Sequence, residues 1–314
     1  MNDMQDAPSW ERDTLRQLLL QNVAEQRAAR RWKIAFRLAW LTLVVALIGL
    51  GLHKAGAGSD VSGPHTALIE IRGEIGAGNE TDAEEVLDAL REAFDDEGAK
   101  AVVLRVNSPG GSPVHAGLIN DEIKRLKSKH DKPVYAVVED SCASAAYYIA
   151  VAADRIYVDK ASIVGSIGVL MDGFGFTGVM DKLGVERRLL TAGENKGMLD
   201  PFSPLNKHQK ALAQAMLDQI HQQFISVVRE GRGDRLKETP EIFSGLFWTG
   251  EQAIKLGLAD ELGSLGSVAR DVVGAEDVID YTRRENVAER LAKRFGAAVG
   301  QGAVKALHGM ATIH

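Results

Sequence analysis

Three short stretches of this chain hold residue types that hydrolytic chemistry uses. In Glu139-Asp140-Ser141-Cys142-Ala143-Ser144-Ala145-Ala146-Tyr147-Tyr148, small residues surround Ser144 directly after an apolar, β-branched run. A serine at a helix start has its Oγ near the positive end of the helix dipole, with the next N–H free to donate. Such a serine can be a nucleophile beside an oxyanion donor, or it can simply cap the helix. Cys142 is the rival nucleophile, but no histidine adjoins it. Nearby Glu139 and Asp140 would raise a thiol pKa, so Cys142 reads as a small buried residue. In Asn107-Ser108-Pro109-Gly110-Gly111, proline fixes one dihedral and the glycine pair allows N–H groups to point into a cleft; an ordinary tight turn fits the same residues. No Gly-Lys-Ser/Thr supports a phosphate loop. In Thr191-Ala192-Gly193-Glu194-Asn195-Lys196-Gly197, Lys196 taken alone is a surface lysine. His115, His130, His208 and His221 fall in polar helical or turn contexts without an evident carboxylate partner, and they read as solvated.

The elements that must position these loops alternate between two hydrophobic periods. Period-two alternation in TALIEIRGEI, from Thr66, predicts a half-buried strand. Val86, Leu87, Leu90, Ala93 and Phe94 predict a helix over 82–95. The short apolar runs 101–106, 133–138 and 155–158 predict strands, the first two buried on both faces. Helices are expected over 116–126 and 144–152, a strand over 187–190, and a long helix from Asn206 to about Glu230. The pattern is repeated βα with a parallel sheet, an α/β domain spanning 66–282.

Charge divides the rest. The chain has 314 residues and a formal charge of −6, which argues against nucleic acid as a partner. Residues 1–54 carry eight Lys/Arg against five Asp/Glu, and residues 283–314 carry six against two, so the acidity belongs to the body. A single cysteine excludes an intrachain disulfide and any multi-cysteine metal site. After Arg27, Arg30, Arg31 and Lys33, an apolar stretch over 34–53 predicts one transmembrane anchor, with Arg37 snorkelling to the headgroups. A buried core helix or a cleaved signal peptide also fits the apolar run, but a basic segment of this length is unlike the n-region of a signal peptide. Residues 1–33 are then cytoplasmic, and the roughly 260 residues beyond the span lie on the periplasmic or extracytoplasmic side. Residues 54–65 read as a Gly/Ser tether. The basic tail 283–314 has helical spacing at Val287, Leu291, Ala292, Phe295 and Val299, suited to anionic lipid or to packing on a neighbour.

Taken together, NSPGG (107–111), SAAYYIA (144–150), VGSIGV (164–169), GENK (193–196) and FWTGEQAIKLGLADELG (247–263) resemble the signal peptide peptidase A family, in its short single-domain form. The resemblance runs from about Thr66 to Ser264. It implies a Clp protease/crotonase-like fold, a bacterial inner-membrane location, and a serine endopeptidase acting on remnant signal peptides and other apolar, membrane-associated peptides. It implies Ser144 as nucleophile, Lys196 as general base and Ser166 as the residue orienting the lysine amine. Gly111 and Ala145 become the oxyanion donors. No cofactor or metal is implied. Such proteases form homo-oligomeric rings, octameric for the short form, in which Lys196 would act on Ser144 of a neighbouring subunit. Relatives usually have Gly-Gly after the nucleophile; here Ala145-Ala146 leave both N–H groups in place while two methyls narrow the groove. The shared fold leaves a crotonase-like acyl-CoA enzyme as an alternative, although no catalytic Glu pair is evident. A catalytically inactive membrane scaffold is the other.

Overall fold

The computed structural model describes residues 30–46 and 63–283. Residues 30–46 are helical (α1), with Trp32, Ile34, Phe36, Leu38, Trp40 and Leu41 exposed. Among the described residues no helix is long and apolar enough to cross a membrane. The second part of the expected anchor, 47–53, lies outside the described residues, as do 1–29, most of the tether and the tail from 284.

The body is one sheet of eight strands: β1 (His65–Ile75), β2 (Ala99–Gly111), β3 (Val134–Ala143), β4 (Arg155–Val158), β5 (Ile163–Gly165), β6 (Phe247–Thr249), β7 (Glu261–Leu262) and β8 (Val278–Asp280). The main order is β6-β5-β3-β2-β1-β8, with β4 pairing β3 and β7. All these pairings are parallel except β5 with β6. Helices α2 (Ala83–Asp95), α3 (Pro113–Lys129) and α4 (Ala145–Ala150) follow β1, β2 and β3 in turn, as repeated βα units require.

Alternation along the strands divides the core. Ala67, Ile69 and Ile71 of β1, Val102, Leu104 and Val106 of β2, and Val134, Ala136 and Val138 of β3 pack with Leu90, Phe94, Ile119, Ile123 and Tyr147 of the three helices. Val103, Val137 and Tyr157 point the other way and meet Val268, from the helical segment α8 (Leu265–Ser267) and its π-helical continuation Val268–Val273. Each fully buried side chain of this size contributes about 1.5–3 kcal/mol of transfer free energy.

The remaining helices are α5 (Thr177–Leu183), α6 (Lys207–Arg232) and α7 (Gly250–Leu256). The C-terminal end of α6 is fixed by Arg232, 1% exposed, which donates to the Gly257 carbonyl at 2.7 Å and to both Asp260 oxygens at 2.9 and 2.8 Å. Burial opposes the charge on Asp260, yet the Arg232 guanidinium holds its carboxyl below the usual carboxylate range. Breaking one partner of such a pair strands the other charge, at about 3–5 kcal/mol.

Three expectations are corrected. The segment 107–111 is not a tight turn: β2 runs through it, with a register shift between Val106 and Ser108, and pairs Gly110 with Glu74 and Gly111 with Ile75. No strand forms over 187–190, where Leu189 and Leu190 are exposed and no sheet edge among the described residues receives them. His65, the last residue of the expected tether, is instead the buried first residue of β1 and lies 3.0 Å from the Tyr281 hydroxyl through Nε2.

One ion-pair cluster makes stability pH-dependent. Glu122 on α3 accepts from Arg125 at 2.6 and 2.7 Å and from Arg91 at 2.8 Å, and these guanidinium groups, Arg125 foremost, hold its carboxyl at about 2. A carboxyl depressed on folding contributes stability that is present above its unfolded value near 4.5 and is lost as pH falls toward 2. Melting temperature should therefore fall across that window, and less steeply in Glu122→Gln. Parallel pH slopes in thermal denaturation would contradict this.

Candidate active site

Ser144 stands between β3 and α4 with φ +53° and ψ −122°, a backbone conformation that costs a non-glycine residue about 1–3 kcal/mol. Asp82, Ser112, Asn206 and Thr249, at the N-caps of α2, α3, α6 and α7, each accept an N–H of their own helix. Ser144 makes no such bond, so its Oγ is not engaged as a cap. A serine on a strained strand-to-helix turn with a free hydroxyl is the geometry that presents a nucleophile. Its N–H donates to the Gly165 carbonyl at 2.8 Å. On its other side lies Gly110 (φ +114°), where a methyl would come within 2.8 Å of the Ser144 Cβ.

The bulged end of β2 supplies the facing wall. Gly111 has φ +149°, and a Cβ there would overlap the Ile75 carbonyl. Ser108, which sequence reasoning did not single out, holds this bulge. It is fully buried, its hydroxyl donates to the Gly73 carbonyl at 2.6 Å, and it accepts the Gly110 N–H at 3.1 Å. A small hydroxyl residue directly before Pro-Gly-Gly was the available signal. Ala145 opens α4, so its N–H has no intrahelical acceptor.

Ser166 follows β5, also at positive φ (+52°), and its N–H donates to the Leu246 carbonyl at 2.7 Å. Ser144, Ala145, Gly111 and Ser166 thus line one cleft of about 590 Å³. Its apolar wall comes from Ile220 and Phe224 of α6, Val169 and Leu170, and Tyr148, whose ring lies 5.2 Å from that of Phe224. The one titratable group in the lining is the Tyr148 phenol, which burial pushes up. No lining residue accepts a proton near neutral pH. Lys196 lies elsewhere, exposed in a turn where its own N–H donates to the Gly193 carbonyl at 3.1 Å.

Other expectations change in detail. Cys142 is fully buried, and burial alone pushes its thiol far up; the nearby carboxylates are engaged elsewhere, Glu139 with Arg72 at 3.2 Å and Asp140 with Asn107 at 2.9 Å. The histidines are not all solvated. His208 is exposed, but the ring of His130 meets Phe94 edge-on at 5.6 Å, and His115 is half-buried with its Nδ1 enclosed. His221 Nε2 lies 3.1 Å from the Ile167 carbonyl. Ala146 is buried in the core, so one methyl, that of Ala145, borders the groove. Among the described residues no cluster of three or more His, Cys, Asp or Glu could hold a metal ion. A second depression of about 640 Å³, lined by Arg105, Glu139, Lys160 and Ser264, contains none of the expected site residues.

Residues 126–278, which include Ser144, Ser166 and Lys196, match Peptidase family S49. A protein named as a putative protease of Methanocaldococcus jannaschii is 34% identical over 239 residues, covering 74% of this chain and 76% of that protein. The chain belongs to the S49 family, the signal peptide peptidase A family of serine peptidases. This S49 chain is also 48% identical over 185 residues to a protein of Brucella melitensis named as the Na(+)/H(+) antiporter NhaA. That match covers 59% of this chain, which thus spans only 25% of the length of that protein. Among solved structures, a mutant of ClpP1 from Listeria monocytogenes aligns with a TM-score of 0.40 at 16% identity, over 63% of the S49 chain and 91% of the other.

Proposed function

We propose that this protein is a membrane-anchored serine endopeptidase working through a Ser144–Lys196 dyad completed between two copies of the chain. The observation that carries the reading is a cleft lined by a strained, uncapped serine, with Gly111 and Ala145 beside it and no proton acceptor of its own. The acceptor must come from outside the lining. Lys196 is on an exposed segment that also exposes Leu170, Phe174, Leu183, Leu190 and Leu205, apolar surface suited to a second copy in a homo-oligomeric ring.

In the reaction, neutral Lys196 takes the Ser144 proton as Oγ attacks the peptide carbonyl. An ordinary lysine, near ~10.4, is charged at neutral pH, so the amine must be desolvated by assembly. Ser166 orients it. The oxyanion meets the N–H groups of Gly111 and Ala145, each worth on the order of 3 kcal/mol to the transition state. The lysine ammonium then gives its proton to the departing amine. Water then attacks the acyl carbonyl, giving a proton to the same lysine, and the lysine passes that proton to the Ser144 Oγ as the acid leaves.

The apolar lining suits extended hydrophobic peptides, such as remnant signal peptides. The basic residues Arg30, Arg31 and Lys33 at the start of α1 and its exposed apolar residues support an anchor with the N-terminus in the cytoplasm and the body on the periplasmic side of the inner membrane. The acyl-CoA alternative needs a catalytic carboxylate, and the described lining has none. The scaffold alternative leaves the strain at Ser144 without a use. The test is turnover of fluorogenic peptides by the full chain in detergent. Peptides apolar at the cut site should be cleaved at least ~10-fold faster than charged ones; equal rates would overturn the substrate reading.

A further inference from the structure

We propose that His221 is a positioning residue for the peptidase reaction, holding the segment that carries Ser166 in register with Ser144. The inference rests on the dyad reading above. Gly165-Ser166-Ile167 is tied down at three successive residues. The Gly165 carbonyl accepts the Ser144 N–H at 2.8 Å, and the Ser166 N–H donates to the Leu246 carbonyl at 2.7 Å. The Ile167 carbonyl lies 3.1 Å from His221 Nε2, which, as the protonated nitrogen, donates to it. The first two ties join backbone to backbone and survive any change of side chain. The third depends on His221 alone.

Its placement gives that tie leverage. His221 is on α6 between Ile220 and Phe224, which line the cleft, while the far end of α6 is fixed by the buried Arg232–Asp260 pair. Ile167 is fully buried, but Leu170 is 80% exposed, and exposed apolar residues recur to Leu205. The Ile167–His221 bond is therefore a side-chain anchor at the root of the segment that carries Lys196. Ser166 itself is at positive φ, a conformation that relaxes once its neighbours stop enforcing it. Loss of the bond lets both the Ser166 hydroxyl and the root of the Lys196 segment shift, and a displacement of about 1 Å costs on the order of 100-fold in rate.

The experiment compares His221→Phe, His221→Asn and His221→Gln as full chains on one apolar fluorogenic peptide. Phe keeps a ring without a donor, Asn has a donor too short to reach Ile167, and the Gln amide can occupy the position of Nε2. The expected result is a fall in kcat of roughly 10- to 100-fold for Phe and Asn with KM within about twofold of wild type, and recovery of most of kcat in Gln. Should the Phe variant fail to fold, the Gln and Asn pair gives the same comparison. Wild-type kcat in Phe or Asn, or equal losses in Gln and Asn, would overturn the proposal. Ser144→Ala and Lys196→Ala run alongside: activity persisting in either would instead overturn the dyad.

Discussion

Ser144→Gly should hydrolyse no peptide above background and yet melt at a higher temperature than the wild type. Glycine adopts φ +53°, ψ −122° without the Cβ contacts that cost serine there about 1–3 kcal/mol. Against this, glycine's greater freedom in the unfolded chain costs roughly 0.5–1 kcal/mol. The balance is a gain of about 1 kcal/mol, or roughly 2–4 °C for a domain of this size. Losing the nucleophile lowers kcat by on the order of 10⁵- to 10⁶-fold. Ser144→Ala separates the two effects, since alanine removes the hydroxyl but keeps the Cβ: it should lose activity without gaining stability. Calorimetry beside the peptide assay checks both. A glycine variant no more stable than the alanine variant would mean that the turn is not strained.

Lys196→Ala should lower kcat by about 10²- to 10⁴-fold, the range expected for removing a general base. Lys196→Arg should fare no better, because a guanidinium does not give up its proton. Neither change should move the melting temperature of the separated chain measurably, since the lysine is exposed there. Mixing supplies the sharper result. When inactive Ser144→Ala and inactive Lys196→Ala chains are co-assembled, some sites pair an intact serine with an intact lysine from the other chain, and activity should return. Mixed oligomers that remain inactive would mean that the lysine does not act between subunits.

The fold was largely legible because its period-two and helical patterns report burial directly. The run at 101–106 and residues 134–138 lie in buried strands, and Leu90 and Phe94 face the core. Two failures have one cause: local sequence does not report what a strand pairs with. Pro-Gly-Gly reads as a turn, yet β1 beside it lets β2 continue as a bulged strand to Gly111. Leu189 and Leu190 read as strand, yet no strand edge among the described residues receives them. At the site, the composition of the Ser144 loop left both nucleophile and cap open; what composition does not carry is the dihedral angle and the missing cap bond. The partners of Ser108 and His221 were not legible because each works through a carbonyl supplied by a distant segment, Gly73 and Ile167.

The central claim is that Ser144 is activated and that Lys196 activates it. The most direct measurement is mass spectrometry of the assembled protein after exposure to a serine-reactive phosphonate, wild type beside Lys196→Ala. The account predicts one stoichiometric adduct on the peptide containing Ser144 in the wild type and little or none in the lysine variant. An unlabelled Ser144 in active protein, or equal labelling of the two proteins, would contradict it.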